Sequence, residues 1–290
     1  MPALATRTLA RAEWAPVAAA HAEAADALTA GHRDRKGRGE RHAIEDFLFE
    51  YYSTRPAHLR RWHPGAGVAL EDAPEHAGWK HYRTQHGRTE VDVAAFMAAR
   101  GAAVDFVEGL LRATADRPAR LGCFGMHEWA MAYRVGEDIR HPLPLRLGQD
   151  GTDAVVEANP IACSHFDAFR FFTPEAVPLN RLRPTRASQV ALEQPGCLHA
   201  TMDLYKWAAR LAPAIPSVLQ LEAFALALEV RRVDMQASPY DVSSFGLPPI
   251  AVETPEGKRE YVERQRDFAA RGGVLRARMV AEIELLRSLD

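Results

Sequence analysis

The chain has 290 residues, of which 47% are hydrophobic, and a formal net charge of −2. That is enough for one large or two small domains with a substantial apolar core. It excludes a polycation, so any nucleic-acid contact must come from a local basic patch. No apolar run approaches transmembrane length and the N-terminus lacks the apolar core of a signal peptide. Three widely spaced cysteines, Cys123, Cys163 and Cys197, suit a reducing cytoplasm better than a disulfide framework or a zinc ribbon.

Residues 16–30 read as an Ala-rich helix. GHRDRKGRGERH (31–42) then gathers Arg33, Arg35, Lys36, Arg38 and Arg41 around three glycines. Such a composition builds no core and predicts a basic loop, either a solvated linker or a phosphate-contacting arm. In HAIEDFLFEYYSTRP, Ile44, Phe47, Leu48, Tyr51 and Tyr52 recur at helical spacing, and Pro56 ends that helix. PAHLRRWHPG predicts a short helix carrying Arg60 and Arg61 outward. Residues 70–90 show no period and read as loop; residues 91–112 read as an amphipathic helix.

Past Pro118 the pattern changes. LGCFGMHEWAMAYR (121–134), LPLRL (143–147), DAVVE (153–157) and IACSHFDAFRFF (161–172) read as strands of a small antiparallel meander. Helices follow over 196–211 and over 218–235, the latter with Ser217 and Gln220 as a capping box. Another starts at Thr254-Pro255, and Gly272-Gly273 breaks it. The expected fold is α+β, mainly α-helical with a small central antiparallel β-sheet. Residues 1–42 would form an N-terminal helix and basic loop, and 43–290 a single mixed domain.

The polar residues that interrupt this apolar texture are the candidate site. On a helix His199, Asp203, Lys206 and Arg210 make one narrow stripe on an otherwise apolar cylinder, so the stripe must face a cavity or paired partners. On a strand His165 and Asp167 would share a face with Phe169, as a pocket wall. His127 and Glu128 make a third imidazole–carboxylate pair. These spacings match no metal signature, and no GxSxG, P-loop or GxGxxG is present. Neither a metal nor a cofactor is therefore expected. Cys163 and Cys197 read as core thiols, and Asp234 and Asp241 as cap or turn residues.

Four blocks, EDFLFEYYSTRPAHLRRWHPG, GMHEWAMAYR, CSHFDAFRFFTP and EQPGCLHATMDLYKWAARLAP, resemble a family of actinobacterial proteins that carries the label 3-methyladenine DNA glycosylase. The resemblance spans about residues 30–270. It implies an N-glycosylase acting on a damaged or modified purine, with DNA as the expected carrier and a free nucleoside or nucleotide as the alternative. No helix-hairpin-helix signature of the LPGVG type is present, which implies another mode of DNA binding. The chemistry asks for a carboxylate to stabilise an oxocarbenium-like sugar and activate water. Asp203 or Asp167 could serve, with His199, His165 or Glu128 assisting. Trp129, Tyr133, Phe169 and Tyr205 could stack on the base beside Arg170 and Lys206. Arg35, Lys36, Arg60 and Arg61 could hold phosphates. Two other classes remain open. One is a metal-dependent hydrolase built on His127, His165, Asp167, His199 and Asp203. The other is a binding protein without catalysis, in which the stripe only ties elements together.

Overall fold

The computed structural model describes residues 7–136 and 141–290. It is mainly helical, with a small sheet. In chain order, β1 (Arg7–Leu9) leads into α1 (Arg11–Gly37), then α2 (Phe47–Tyr51) and α3 (Pro56–Leu59). Next come β2 (Val68–Glu71), α4 (Pro74–Ala77), β3 (Tyr82–Gln85) and β4 (Arg88–Val91). The remainder is helical: α5 (Val93–Ala115), α6 (Met126–Met131), α7 (Gly148–Ala158), α8 (Phe166–Phe169), α9 (Gln189–Leu192), α10 (Leu198–Leu211), α11 (Ser217–Gln236) and α12 (Pro255–Ser288). Among the described residues no helix is long and apolar enough to cross a membrane.

The sheet lies elsewhere than the sequence suggests. Its order is β1-β2-β4-β3, with β1 parallel to β2 and the other pairs antiparallel. Three of its strands fall almost wholly within residues 70–90, read above as loop, and the sheet is mixed rather than wholly antiparallel. His86 and Gly87, both at positive φ, close the β3–β4 hairpin as a two-residue turn of the kind that matches strand twist. Trp14 of α1 donates its indole N–H to the Glu71 carbonyl at 2.9 Å, which pins α1 to β2.

The expected meander over 121–172 is helical instead. Gly125, at φ 69°, starts α6. All six residues of α6 are buried, so inside–outside alternation carries no information there. In α7, Thr152, Val155 and Val156 are the buried residues, the i, i+3, i+4 spacing of a helix, and GQDG is its first turn. Residues 166–169 make one helical turn, so His165 and Asp167 do not share a strand face. LPLRL retains only an isolated bridge between Leu145 and Tyr240.

Other boundaries move as well. The basic segment is helical to Gly37 because α1 docks it on acid: Asp46 accepts from His32 at 2.7 Å and from Arg35 at 3.0 Å. That same carboxylate takes the His42 backbone N–H at 2.8 Å, so residues just before α2 form a turn rather than helix. Ser217 caps nothing; its hydroxyl accepts the His63 backbone N–H at 2.9 Å, tying α11 to the segment before β2. Gly272-Gly273 does not break α12. A Cβ at Gly272 would lie 3.1 Å from the Thr201 methyl, so glycine there allows α12 to cross close to α10. Thr254 caps α12 through the Gly257 N–H at 3.1 Å, as its position implies.

α10 sits in the centre of the main core. Only Lys206, Ala209 and Arg210 fall short of full burial. Its Tyr205 and Trp207 share that core with Phe224 of α11 and with Met279 and Ile283 of α12.

Candidate functional site

The stripe on α10 runs from the buried interior outward. At its inner end the His127 and His199 rings meet edge to face at 4.5 Å, and His199 lies 5.3 Å from the His165 ring. His127 Nε2 is 2.9 Å from Asp234 Oδ1, and the other Asp234 oxygen accepts from Arg231 at 3.0 Å. Arg231 also donates to Glu128 at 2.9 Å. All of these groups are buried. Burial alone would keep His127 neutral, but Asp234 outweighs it and raises its pKa. For His199 burial and then His127 outweigh the pull of Asp234 and push it down to about 3. Burial opposes ionisation of Asp234, yet His127 and Arg231 hold its carboxyl below the usual range.

One turn further out, Asp203 is fully buried. It accepts from the Tyr52 hydroxyl at 2.8 Å and from Lys206 Nζ at 3.1 Å. His165 Nε2 lies 3.4 Å from it and 3.7 Å from Glu193. Burial disfavours the Asp203 charge, but His165, Lys206 and Tyr52 together more than offset it, and the carboxyl stays ionised. Glu193, with less help, is raised by burial. Lys206 bridges outward to Asp167 at 2.8 Å. Burial lowers its pKa, but Asp203 and Asp167 raise it by more, so the ammonium between two carboxylates keeps its proton.

Asp167 is the carboxylate on the floor of an open cleft of about 440 Å³. Tyr51, Tyr52, Lys206, Arg170, Arg186, Arg100 and Arg210 line the cleft around it. Arg170 and Arg186 approach the Asp167 carboxylate at 3.4 and 3.5 Å. Five cations against one carboxylate make this a local anion-attracting surface on a chain of net charge −2.

His199, Asp203, His165, Glu128, Asp167, Arg170 and Lys206 thus belong to one continuous polar seam, although Glu128 reaches it only through Arg231. The aromatic candidates lie elsewhere. Trp129 is fully buried and donates to the Ala237 carbonyl at 2.8 Å. Tyr133 bonds Glu157 at 3.0 Å. Tyr205 packs on Phe224, and Phe169 on Phe172. The rings that do line the cleft are Tyr51 and Tyr52, which the sequence offers only as core positions of an amphipathic helix. Arg35 is engaged by Glu45 and Asp46 and Arg60 by Asp26 at 3.0 Å. Arg61 lies over the Trp79 ring, and Lys36 borders a separate basin beside Arg41.

Asp234, read as a cap or turn residue, is buried inside α11, where Arg231 and His127 hold it. With His127 and His199 it forms a group whose donor atoms all lie within 4.8 Å of one another, the one arrangement among the described residues suited to a metal ion. Asp203 and Asp167 are instead joined by Lys206. The thiols are poor nucleophiles: burial raises Cys123 and Cys197, and raises Cys163 to about 12. No protein-family model, no curated protein and no solved structure matches this chain.

Proposed function

We propose that this protein is an N-glycosylase-type hydrolase that releases an alkylated purine from DNA, with Asp167 as the carboxylate facing the sugar. The observation that carries this reading is the cleft itself: one floor carboxylate, two tyrosine rings and five cations around it. A nucleotide unit presents the complementary features, a flat base, a sugar that becomes cationic and flanking phosphates. The volume is in the range of small-ligand sites. The four sequence blocks that resemble the glycosylase-labelled family supply Tyr51 and Tyr52, His127, Asp167 with Arg170, and Asp203 with Lys206, which supports the same assignment.

The chemistry follows from the charges. A purine alkylated at a ring nitrogen is already cationic, so it leaves with the electron pair of the C1′–N bond and needs no proton from the protein. Asp167 stabilises the positive charge that develops on the sugar and accepts the proton of the attacking water, whose oxygen bonds to C1′. Lys206 keeps the Asp167 carboxylate aimed, and Asp203 behind it holds Lys206. Tyr51 and Tyr52 offer faces to a cationic base, and the arginines take phosphates.

The test is base release from methylated duplex DNA and, in parallel, from a free methylated purine nucleotide. The wild type should release base from DNA, and Asp167→Asn should lose about 10²–10⁴-fold of the rate while remaining folded. Release from the free nucleotide alone would transfer the reading to a nucleotide hydrolase. Release from neither substrate would end it.

A further inference from the structure

The inner end of the seam does not reach the cleft, and its chemistry differs. We propose that His127, His199 and Asp234 bind one divalent transition-metal ion that fastens α6, α10 and α11 together.

The first ground is geometric. His127 Nε2 and Asp234 Oδ1 stand 2.9 Å apart as a buried ion pair, but they are out of line for a hydrogen bond. A protonated imidazole held for its own sake by a carboxylate would point its N–H at the oxygen. Two ligands of one ion need not be aligned with each other. With metal–donor distances of about 2.0–2.2 Å, they stand about 3.0–3.5 Å apart at right or tetrahedral angles, close to the observed contact. His199 Nδ1 is likewise buried and without a partner, and it belongs to the imidazole that completes the group.

The second ground is charge. Arg231 lies between Glu128 and Asp234 at 2.9 and 3.0 Å, so one guanidinium faces two buried carboxylates. A metal ion held by His127 and Asp234 would supply the second positive charge that the imidazole otherwise carries as a proton. Arg231 would then also be the outer-shell group that orients the ligating carboxylate, as metal sites commonly require. The third ground is space. His127 and His199, though not Asp234, line a cavity of about 20 Å³ beside Cys123, Cys163 and Cys197. It has room for one ion or one water and is far too small for a purine. Two imidazoles and one carboxylate favour zinc or ferrous iron over magnesium or calcium, which prefer oxygen donors. The site is therefore independent of the cleft reading and needs no turnover to be tested.

The experiment strips the full-length protein with a chelator and titrates it with Zn²⁺ and with Co²⁺. A single equivalent should bind, raise the melting temperature and, for Co²⁺, give visible bands of nitrogen and oxygen coordination. His199→Ala, which removes a ligand without removing a charge, should lose that equivalent while its far-ultraviolet circular dichroism stays that of the wild type. If that variant does not fold, the Co²⁺ spectrum of the wild type still decides by reporting whether imidazole ligates. Failure of the stripped wild type to bind either ion at severalfold excess would overturn the proposal. So would a folded His199→Ala that keeps a full equivalent, or a spectrum without imidazole.

Discussion

Two clusters of three buried histidines occupy this fold, and they are partnered differently. His21, His63 and His76 sit where α1 meets the sheet. Each has a neutral partner: the Leu59 carbonyl at 2.8 Å, the Tyr82 hydroxyl at 3.0 Å and the Trp62 carbonyl at 3.0 Å. Their walls are aromatic, with Trp79 5.1 Å from His63 and 4.5 Å from His76. Burial pushes all three pKa values down. His127, His165 and His199 sit among Asp234, Glu193 and Asp203 instead. Asp234 and Asp203 overcome burial to raise His127 and His165, and ring nitrogens of all three histidines lack hydrogen-bond partners. Burial alone does not make a histidine functional. The first cluster gives each ring a neutral partner, with His76 Nδ1 left over, and is structure; the second sets carboxylates against its rings, and is the candidate site.

The largest effect should come from removing the charge that keeps the second cluster together. Arg231 is 1% exposed and pairs with both Glu128 and Asp234. Arg231→Met leaves two buried carboxylates without their guanidinium and should cost about 3–5 kcal/mol of unfolding free energy, measured by urea denaturation. Adding Glu128→Gln to that variant should restore part of the loss, because one of the stranded charges is then neutral. A loss no larger than that of an ordinary surface substitution would mean that the inner seam is wet and its charges screened, and the contrast between the clusters would fall.

How much of this was legible beforehand depended on where each partner lies in the chain. The α10 stripe was legible because His199, Asp203, Lys206 and Arg210 recur within one helix, where spacing alone assigns a face. The helices α5, α10 and α11 were legible for the same reason, since each is long enough to show its period. The short helices α6 and α8 were not. One turn of helix inside a core presents no polar side, and His165-Phe166-Asp167 alternates by accident. The strands over 68–91 leave no periodic signal because they are four residues long and none buries more than two side chains, so alternation is too brief to register. Tyr52, which bonds Asp203 from 151 residues away, could not be found from local pattern. Asp234 could not either: at the end of α11 it looked like a cap, and only the approach of α6 places His127 against it. The polar residue types were readable in the sequence, whereas their pairing is a property of the packing.

The second test works on the first cluster and concerns pH. His63 is held at about 3, first by burial and then by neighbouring His76 and Arg61. A lowered pKa means that the unfolded chain binds the proton more readily than the folded one. The neutral ring therefore contributes stability that is complete above pH ~6.5 and is lost as pH falls toward the folded value. Each such histidine adds a slope of about 1.4 kcal/mol per pH unit in that window. His63→Gln can retain a hydrogen bond to Tyr82 but cannot titrate, so it should flatten the acid limb of a stability–pH profile by about one proton. An unchanged slope would show that His63 takes up its proton without unfolding, and that this cluster is as open as the cleft.

The smallest effect on stability belongs at the outer end of the seam, where Arg170 and Arg186 are exposed and only loosely paired. The Arg186 side chain is 60% exposed and reaches Asp167 only at 3.5 Å, with its guanidinium over the Phe166 ring at 4.9 Å. Surface pairs of that kind contribute less than about 1 kcal/mol, so Arg186→Ala should leave the unfolding midpoint within about 0.5 kcal/mol of wild type. Binding should respond instead. If Arg186 neutralises a phosphate, the slope of log Kd against log salt for a methylated DNA oligonucleotide should fall by about one, and Arg170→Ala should act in the same direction. Because Asp167 is held most closely by Lys206, at 2.8 Å, the floor of the cleft stays in place in either variant, so a changed salt slope reports the ligand and not the scaffold. An arginine whose loss destabilises the protein and leaves the salt slope untouched is a structural partner of Asp167, and the cleft would then be one more closed network like that around His63.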